Sequence, residues 1–329
     1  MKLRTEIQLK PSGLQIEHHQ KIITIGSCFA ENIGLNFAKY HFSILNNPYG
    51  VLYNPASVYN SLHLISSNKT FEKSDLIFHD GLWHSWYHHS SYSDTKPDQC
   101  LSNLNSQLLR TKQFIENCDF LVITYGTSIV YELINSGLIV SNCHKVPADK
   151  FRRFRMDIQI LEKYIRDTIA LIKSINPSIY FIFTVSPVRH LKDGLAENQI
   201  SKSSLIVALN NVIESENSAA YFPAYEIMLD DLRDYRFYDK NLVHPNSTAI
   251  DYIWDIFSNT WLSPRCRTIV KEMEQLYHSR NHKLLFPDSD KARAFIQQQL
   301  DKISTLSKKY SYIDFSGEAE YFSELLKGK

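Results

Sequence analysis

Two residues far apart in the chain have the types and settings that acyl transfer needs. Ser27 stands in Gly26-Ser27-Cys28-Phe29-Ala30-Glu31-Asn32, directly after an apolar run, and His244 stands in Asn241-Leu242-Val243-His244-Pro245-Asn246, directly before a helical pattern. A hydroxyl on a strand-to-helix turn is presented at the sheet edge. The free N–H groups of the helix start there can hold a developing oxyanion. A histidine fixed beside a proline can take the serine proton as general base. Each residue also has a plain structural role, since serine is a favoured N-cap and a lone histidine is commonly a loop residue. The ordering, serine after the first strand and histidine near the last α/β helix, is what pairs them. Cys28 adjoins Ser27, and helix N-termini activate thiols. Neighbouring side chains at a turn point apart, however, so a cleft-facing Ser27 leaves Cys28 to pack under the helix.

Positioning this pair requires a sheet whose strands end at one edge. Short apolar runs at Lys21–Ser27, Phe42–Leu45, Asp119–Gly126, Ser178–Ser186 and Tyr221–Met228 read as five strands. Rich in Ile, Val, Phe and Tyr, they suit a parallel sheet covered on both faces. Helical patterns fall between them at Glu31–Tyr40, Pro55–Ser66, Leu101–Asn117, Asp157–Ser174 and Ser203–Glu216, with Ser247–Trp261 after the last. The alternation predicts an α/β fold, a three-layer α/β/α sandwich with strand order 2-1-3-4-5. Ligands then bind outside the carboxyl ends of the strands. Lys150, Arg152, Arg153 and Arg155 form the densest basic run and read as a solvated helix start, with an anionic-substrate or surface contact as the alternative. A stretch over about residues 70–98, holding Trp83, His84, Trp86, His88 and His89, reads as an inserted hairpin or lid. Beyond residue 262, Arg265–Asn281 and Ser289–Tyr310 read as two amphipathic helices around a Phe286-Pro287 turn. The expected organisation is therefore a catalytic domain over 1–262 and a helical C-terminal extension over 263–329.

The motif series resembles the SGNH/GDSL hydrolase superfamily, and more closely the GSCFA family. Those five letters stand intact at Gly26 to Ala30. Similar stretches follow at Asn47-Pro48-Tyr49-Gly50, Ser85-Trp86-Tyr87-His88-His89-Ser90, Thr124-Tyr125-Gly126-Thr127, Asn142-Cys143-His144-Lys145 and Ser186-Pro187-Val188-Arg189-His190, with Gly194, Asn198 and His244-Pro245 closing the set. The resemblance implies Ser27 as nucleophile, His244 as base and the Gly50 N–H as an oxyanion donor. Where the superfamily carries Gly-x-Asn, this chain has Gly126-Thr127-Ser128. The missing donor then falls to Ser128, or to Asn142 or His144. Where the superfamily carries Asp three residues before the histidine, this chain has Asn241, which can orient the imidazole by accepting its hydrogen bond. Asp239 or a backbone carbonyl are the alternatives. Arg189, His190, Lys192 and Asp193 fall on a loop at the ligand edge. They read as substrate-binding, with Arg189 and Lys192 suited to an anionic or sugar group.

Bulk properties exclude several classes. Hydrophobic residues make up 43% and charged residues 22% of 329, and the formal net charge is +1 at pH 7. These are globular values with no basic excess for a nucleic-acid partner. Five widely spaced cysteines without a CxxC pair suit neither a disulfide framework nor a zinc site. His84, His88 and His89 lack a recognisable ligand spacing, so no metal and no cofactor is expected. No signal segment and no membrane span is read, which makes a cytoplasmic protein the expectation. The expected function is a serine esterase or acyltransferase acting on a small-molecule or carbohydrate ester, such as an acylated cell-envelope precursor. The rival is a catalytically weakened module that binds a glycan or metabolite without turnover.

Overall fold

The computed structural model describes residues 5–67 and 69–327. In chain order its elements are β1 (Lys21–Gly26), α1 (Cys28–Lys39), β2 (Ser43–Asn46), α2 (Pro55–Ser66), β3 (Ile77–His79), β4 (Leu82–His84), α3 (Pro97–Ile115), β5 (Phe120–Tyr125), β6 (Ile129–Leu133), β7 (Phe151–Arg155), α4 (Ile158–Ile175), β8 (Tyr180–Val185), α5 (Gly194–Ile213), β9 (Ala219–Phe222), α6 (Ala224–Asp230), α7 (Ser247–Trp261), α8 (Pro264–Arg280), α9 (Asp290–Lys309) and α10 (Ser316–Leu326).

Five strands form one parallel sheet in the order β2-β1-β5-β8-β9. Numbered along the chain, these are strands 2-1-3-4-5, the order the sequence predicts. The period-two alternation of a strand divides the apolar side chains between two cores. Ile23, Ile25, Leu121, Ile123, Phe181 and Phe183 pack with apolar residues of α2, α3, α4 and α5. Ile22, Phe120, Val122 and Ile182 pack with α1, α6 and α7 on the other face. The C-terminal helices extend this second core: Ile269 and Met273 of α8, Ile296 and Ile303 of α9, and Phe322 of α10 are buried in it. Among the described residues, no helix is long and apolar enough to cross a membrane.

Three expectations need correction. The fifth strand stops at Phe222, and the residues after Pro223 form α6. Ala224, Tyr225, Ile227 and Met228 are buried at helical rather than alternating spacing. The basic run is a strand: β7 pairs antiparallel with β6, from Ile129 opposite Arg155 to Leu133 opposite Phe151. The C-terminal region holds a third helix, α10. The expected hairpin is present as β3 and β4, turning at Asp80-Gly81, both with positive φ.

Register aligns the strand ends that matter. Gly26 lies beside Thr124, and Tyr125 beside Val185. The segments leaving β1, β5 and β8 therefore emerge together at the carboxyl edge. Gly26 is required at its place: its φ is +138°, and a methyl group there would be driven into the Thr124 carbonyl.

Candidate active site

Helix α1 starts at Cys28, three residues before the expected start, and this changes what Ser27 and Cys28 do. Ser27 is the N-cap: its Oγ accepts the Phe29 N–H at 3.3 Å. Its own N–H donates to the Thr124 carbonyl at 3.1 Å. The residue is 1% exposed, so its hydroxyl is buried in a structural bond. Cys28 is half-buried and lines a cleft of about 390 Å³. The cleft walls also include Tyr53, Asn54, Asn142, Arg189, His190 and His244. Ser27 does not line it. The structure thus brings Cys28, rather than Ser27, to the cleft shared with His244.

Burial raises the Cys28 thiol above its ordinary range, while its own backbone N–H at the helix start and the nearby Lys202 cation pull it back. The Cys28 N–H has no partner from another residue among the described residues. It is one of the orphan donors that every helix start leaves. Lys202 of α5 is fully buried, and its Nζ donates to the Ser186 carbonyl at 2.7 Å. Burial drives Lys202 down to about 7, with the charge of Cys28 opposing the shift. A second cysteine, Cys143, also lines the cleft. Its thiol is pushed up to about 11 by burial, with Lys192 opposing.

His244 is exposed at the mouth, on a tight loop. Asp239 donates its N–H to the His244 carbonyl at 2.8 Å, and Arg189 donates its N–H to the Val243 carbonyl at 3.1 Å, tying this loop to the one leaving β8. Leu242 holds a φ of +57°, an uncommon conformation for a residue with a β-carbon. Asn241 explains the turn and corrects its expected role. Its Oδ1 accepts the N–H groups of Val243 at 2.9 Å and His244 at 3.0 Å. Those two donors fix the amide orientation and leave Nδ2 facing His244 Nδ1 at 2.8 Å. Asn241 therefore donates to the imidazole instead of accepting from it, and the ring proton sits on Nε2. The Asp239 carboxylate accepts the Lys240 N–H through Oδ1, and it makes no hydrogen bond to the His244 ring among the described residues.

The expected oxyanion donors separate. The Gly50 N–H donates to the Asn47 carbonyl at 2.8 Å, and Gly50 lines a different hollow with Glu31, Asn47 and His89. Ser128 is buried, with its N–H and hydroxyl both on the Ser201 hydroxyl. His144 is buried as well; its Nε2 bonds the Ser85 carbonyl at 2.9 Å and its ring stacks on His84. Gly126 gives its N–H to the Tyr53 carbonyl at 2.6 Å and accepts His190 Nε2 at 3.1 Å. Burial and then Lys202 push His190 down to about 4, which keeps that ring a neutral donor. Asn142 does line the cleft. Its Oδ1 takes the His144 N–H, and its Nδ2 has no partner among the described residues. Trp83 and Trp86 are not in the cleft walls; Trp86 packs on His144 and Phe151.

One cleft residue, Asn54, and the fully buried Lys202 escape sequence reasoning. Asn54 caps α2 through Oδ1, at 2.9 Å from the Ser57 N–H, and this leaves Nδ2 as a second unpartnered amide donor in the cleft. Asn54-Pro55 signals a helix start, so the capping role was legible but the spare donor was not. Lys202 falls on the buried face of α5 with Asn198, Ser201, Leu205 and Leu209. A lysine at that spacing was the available signal.

Comparison with known proteins places these residues in a family. No curated protein matches the chain. Among solved structures, the crystal structure of a carbohydrate esterase family 3 from Talaromyces cellulolyticus is similar at 8% identity and a TM-score of 0.36, over 77% of this chain and 99% of that one. A model of the GSCFA domain protein C-terminal domain matches residues 273–328. The GSCFA family model matches residues 21–257, from β1 through most of α7 and across the whole cleft, and the chain belongs to the GSCFA family.

Proposed function

We propose that the protein is an acyl-transfer enzyme acting on an ester, with the Cys28 thiol as nucleophile. One observation carries this: the thiol lies at a helix N-terminus in a cleft shared with His244, while the Ser27 hydroxyl is buried as an N-cap. The thiol gives its proton to the Lys202 amine, which burial holds near neutrality at about 7. The resulting thiolate–ammonium pair adds no net charge to the site. The thiolate attacks the ester carbonyl, and a C–S bond forms. The oxyanion is held by the Cys28 N–H with the free amides of Asn54 and Asn142, each donor typically contributing about 3 kcal/mol. His244, with its proton on Nε2, is a further donor at the mouth. Collapse breaks the C–O bond, and the alcohol leaves with the proton returned by Lys202. The thioester then yields its acyl group to water, or to a hydroxyl acceptor, and the thiol is restored. The Tyr53 side chain in the cleft wall suits a sugar ring, which favours a carbohydrate ester. The cleft draws on residues 28–244, so we assign the chemistry to the 1–262 segment and a packing role to 263–329.

A second reading has one observation in its favour. The Asn241 contact leaves His244 without a free basic nitrogen at Nδ1, as suits a module that binds esters without turning them over. A panel of short-chain aryl esters separates the two. Acyl transfer predicts saturable release of the phenol that is lost after iodoacetamide treatment, also in a Cys143→Ala background. Saturable binding with no phenol release supports the binding module.

A further inference from the structure

We propose that the cleft takes a substrate bearing an anionic group, a carboxylate or a phosphoryl, held by Lys192, Arg153 and Arg189. For the identity of the reacting bond this rests on the ester chemistry proposed above.

The placement of cations around the cleft carries the inference. The Tyr131 hydroxyl oxygen accepts hydrogen bonds from Lys192 Nζ at 2.8 Å and Arg153 Nε at 2.9 Å. Both cations also lie against the face of that ring, at 5.3 and 5.4 Å from its centroid. Two positive charges are thus brought side by side on one neutral oxygen. Only one carboxylate answers them: Asp193 pairs with Arg153, with Nη1 to Oδ1 at 2.6 Å. Lys192 makes no ion pair among the described residues, although its charge also acts on the neighbouring Asp193 carboxylate.

Arg189 repeats the pattern on the loop that meets His244. Its guanidinium lies over Tyr238 at 4.0 Å and Tyr235 at 5.2 Å, and it too has no carboxylate partner among the described residues. Stacking on aromatic faces holds an arginine in place while its N–H edge remains available to a planar anion. The cleft walls therefore carry three cations against the single carboxylate of Asp193. The chain as a whole is nearly balanced at +1, so the excess is local. A carboxylate or phosphoryl oxygen placed beside Tyr131 or Arg189 supplies the missing counter-charge through charge-assisted hydrogen bonds.

Calorimetric titration of the full-length protein tests this without requiring turnover. The probes are two pairs matched except for charge: succinamate against succinamide, and glycerol 3-phosphate against glycerol. At low salt at least one anionic probe binds about tenfold or more tighter than its neutral partner. Whichever pair shows the preference distinguishes carboxylate from phosphoryl. Lys192→Gln at an exposed position and Arg189→Gln at a half-buried one, with folding checked by circular dichroism, each weaken that binding by roughly fivefold or more. Equal binding of charged and neutral probes overturns the proposal. So does failure of both anions to saturate by about 10 mM, a range in which even weak binding registers, or variants that bind like wild type. Anion binding without ester turnover leaves this inference standing and removes the enzyme reading. Ester turnover without charge preference does the reverse.

Discussion

Cys28→Ala abolishes aryl-ester turnover, while Ser27→Ala retains it within about tenfold. Removing a nucleophile leaves only binding and oxyanion stabilisation, so a loss of about 10³-fold or more in kcat is expected for the cysteine variant. Ser27 loses something else. Its Oγ satisfies the Phe29 N–H at the start of α1, and removing an N-cap of this kind costs about 1 kcal/mol of stability. A small drop in denaturation midpoint with most turnover kept is the signature of a cap. The opposite result, a dead Ser27→Ala and an active Cys28→Ala, would return the chemistry to the serine.

Lys202→Met is expected to stabilise the protein at pH 7 and to inactivate it. Burial lowers this amine from an ordinary 10.5 to about 7. Between those two values the unfolded chain binds a proton that the folded chain does not. Wild-type stability therefore rises with pH across that window, and at pH 7 nearly the full cost of burial is present. At about 1.4 kcal/mol per pKa unit this cost is on the order of 4 kcal/mol. Losing the bond to the Ser186 carbonyl gives back about 1 kcal/mol. Urea unfolding at pH 7 should place the methionine variant roughly 2–4 kcal/mol above wild type, with the gap narrowing towards pH 10. If Lys202 accepts the thiol proton, turnover falls about 10²-fold or more. Wild-type kcat/KM rises with pH through an inflection near 7, and the variant loses that inflection. A variant that is less stable at pH 7 and fully active would make Lys202 a structural residue alone.

The sheet was legible because its strands are buried on both faces. Phe120 to Tyr125 and Phe181 to Val185 are buried throughout, and such runs have few other readings. The β6–β7 hairpin was not legible. Phe151-Arg152-Arg153-Phe154-Arg155 has no clean alternation, and its strand character comes from pairing with Ile129–Leu133 across an intervening segment. Of the expected site residues, Asn142, Arg189, His190 and His244 line the cleft, and Cys28 lines it in place of Ser27. Which of two neighbours faces a cleft depends on where the helix begins, and composition does not fix a helix start that closely. Asn241 illustrates a different limit. Its position before His244 was evident, but whether it donates or accepts is decided by the backbone N–H groups of Val243 and His244. Gly50 and Ser128 stand at the expected places after strands, yet local turns and Ser201 consume their donors. Asn54 and Asn142 remain as the free amides because capping and turn bonds use only their oxygens.

The most direct test of the central claim is to trap the acyl group and find where it sits. The protein is mixed briefly with an activated aryl ester, quenched in acid and digested, and the acylated peptide is sequenced by mass spectrometry. The expected product is a thioester on Cys28, cleaved by neutral hydroxylamine and absent from Cys28→Ala. A hydroxylamine-stable ester on Ser27, or an adduct confined to Cys143, would contradict it.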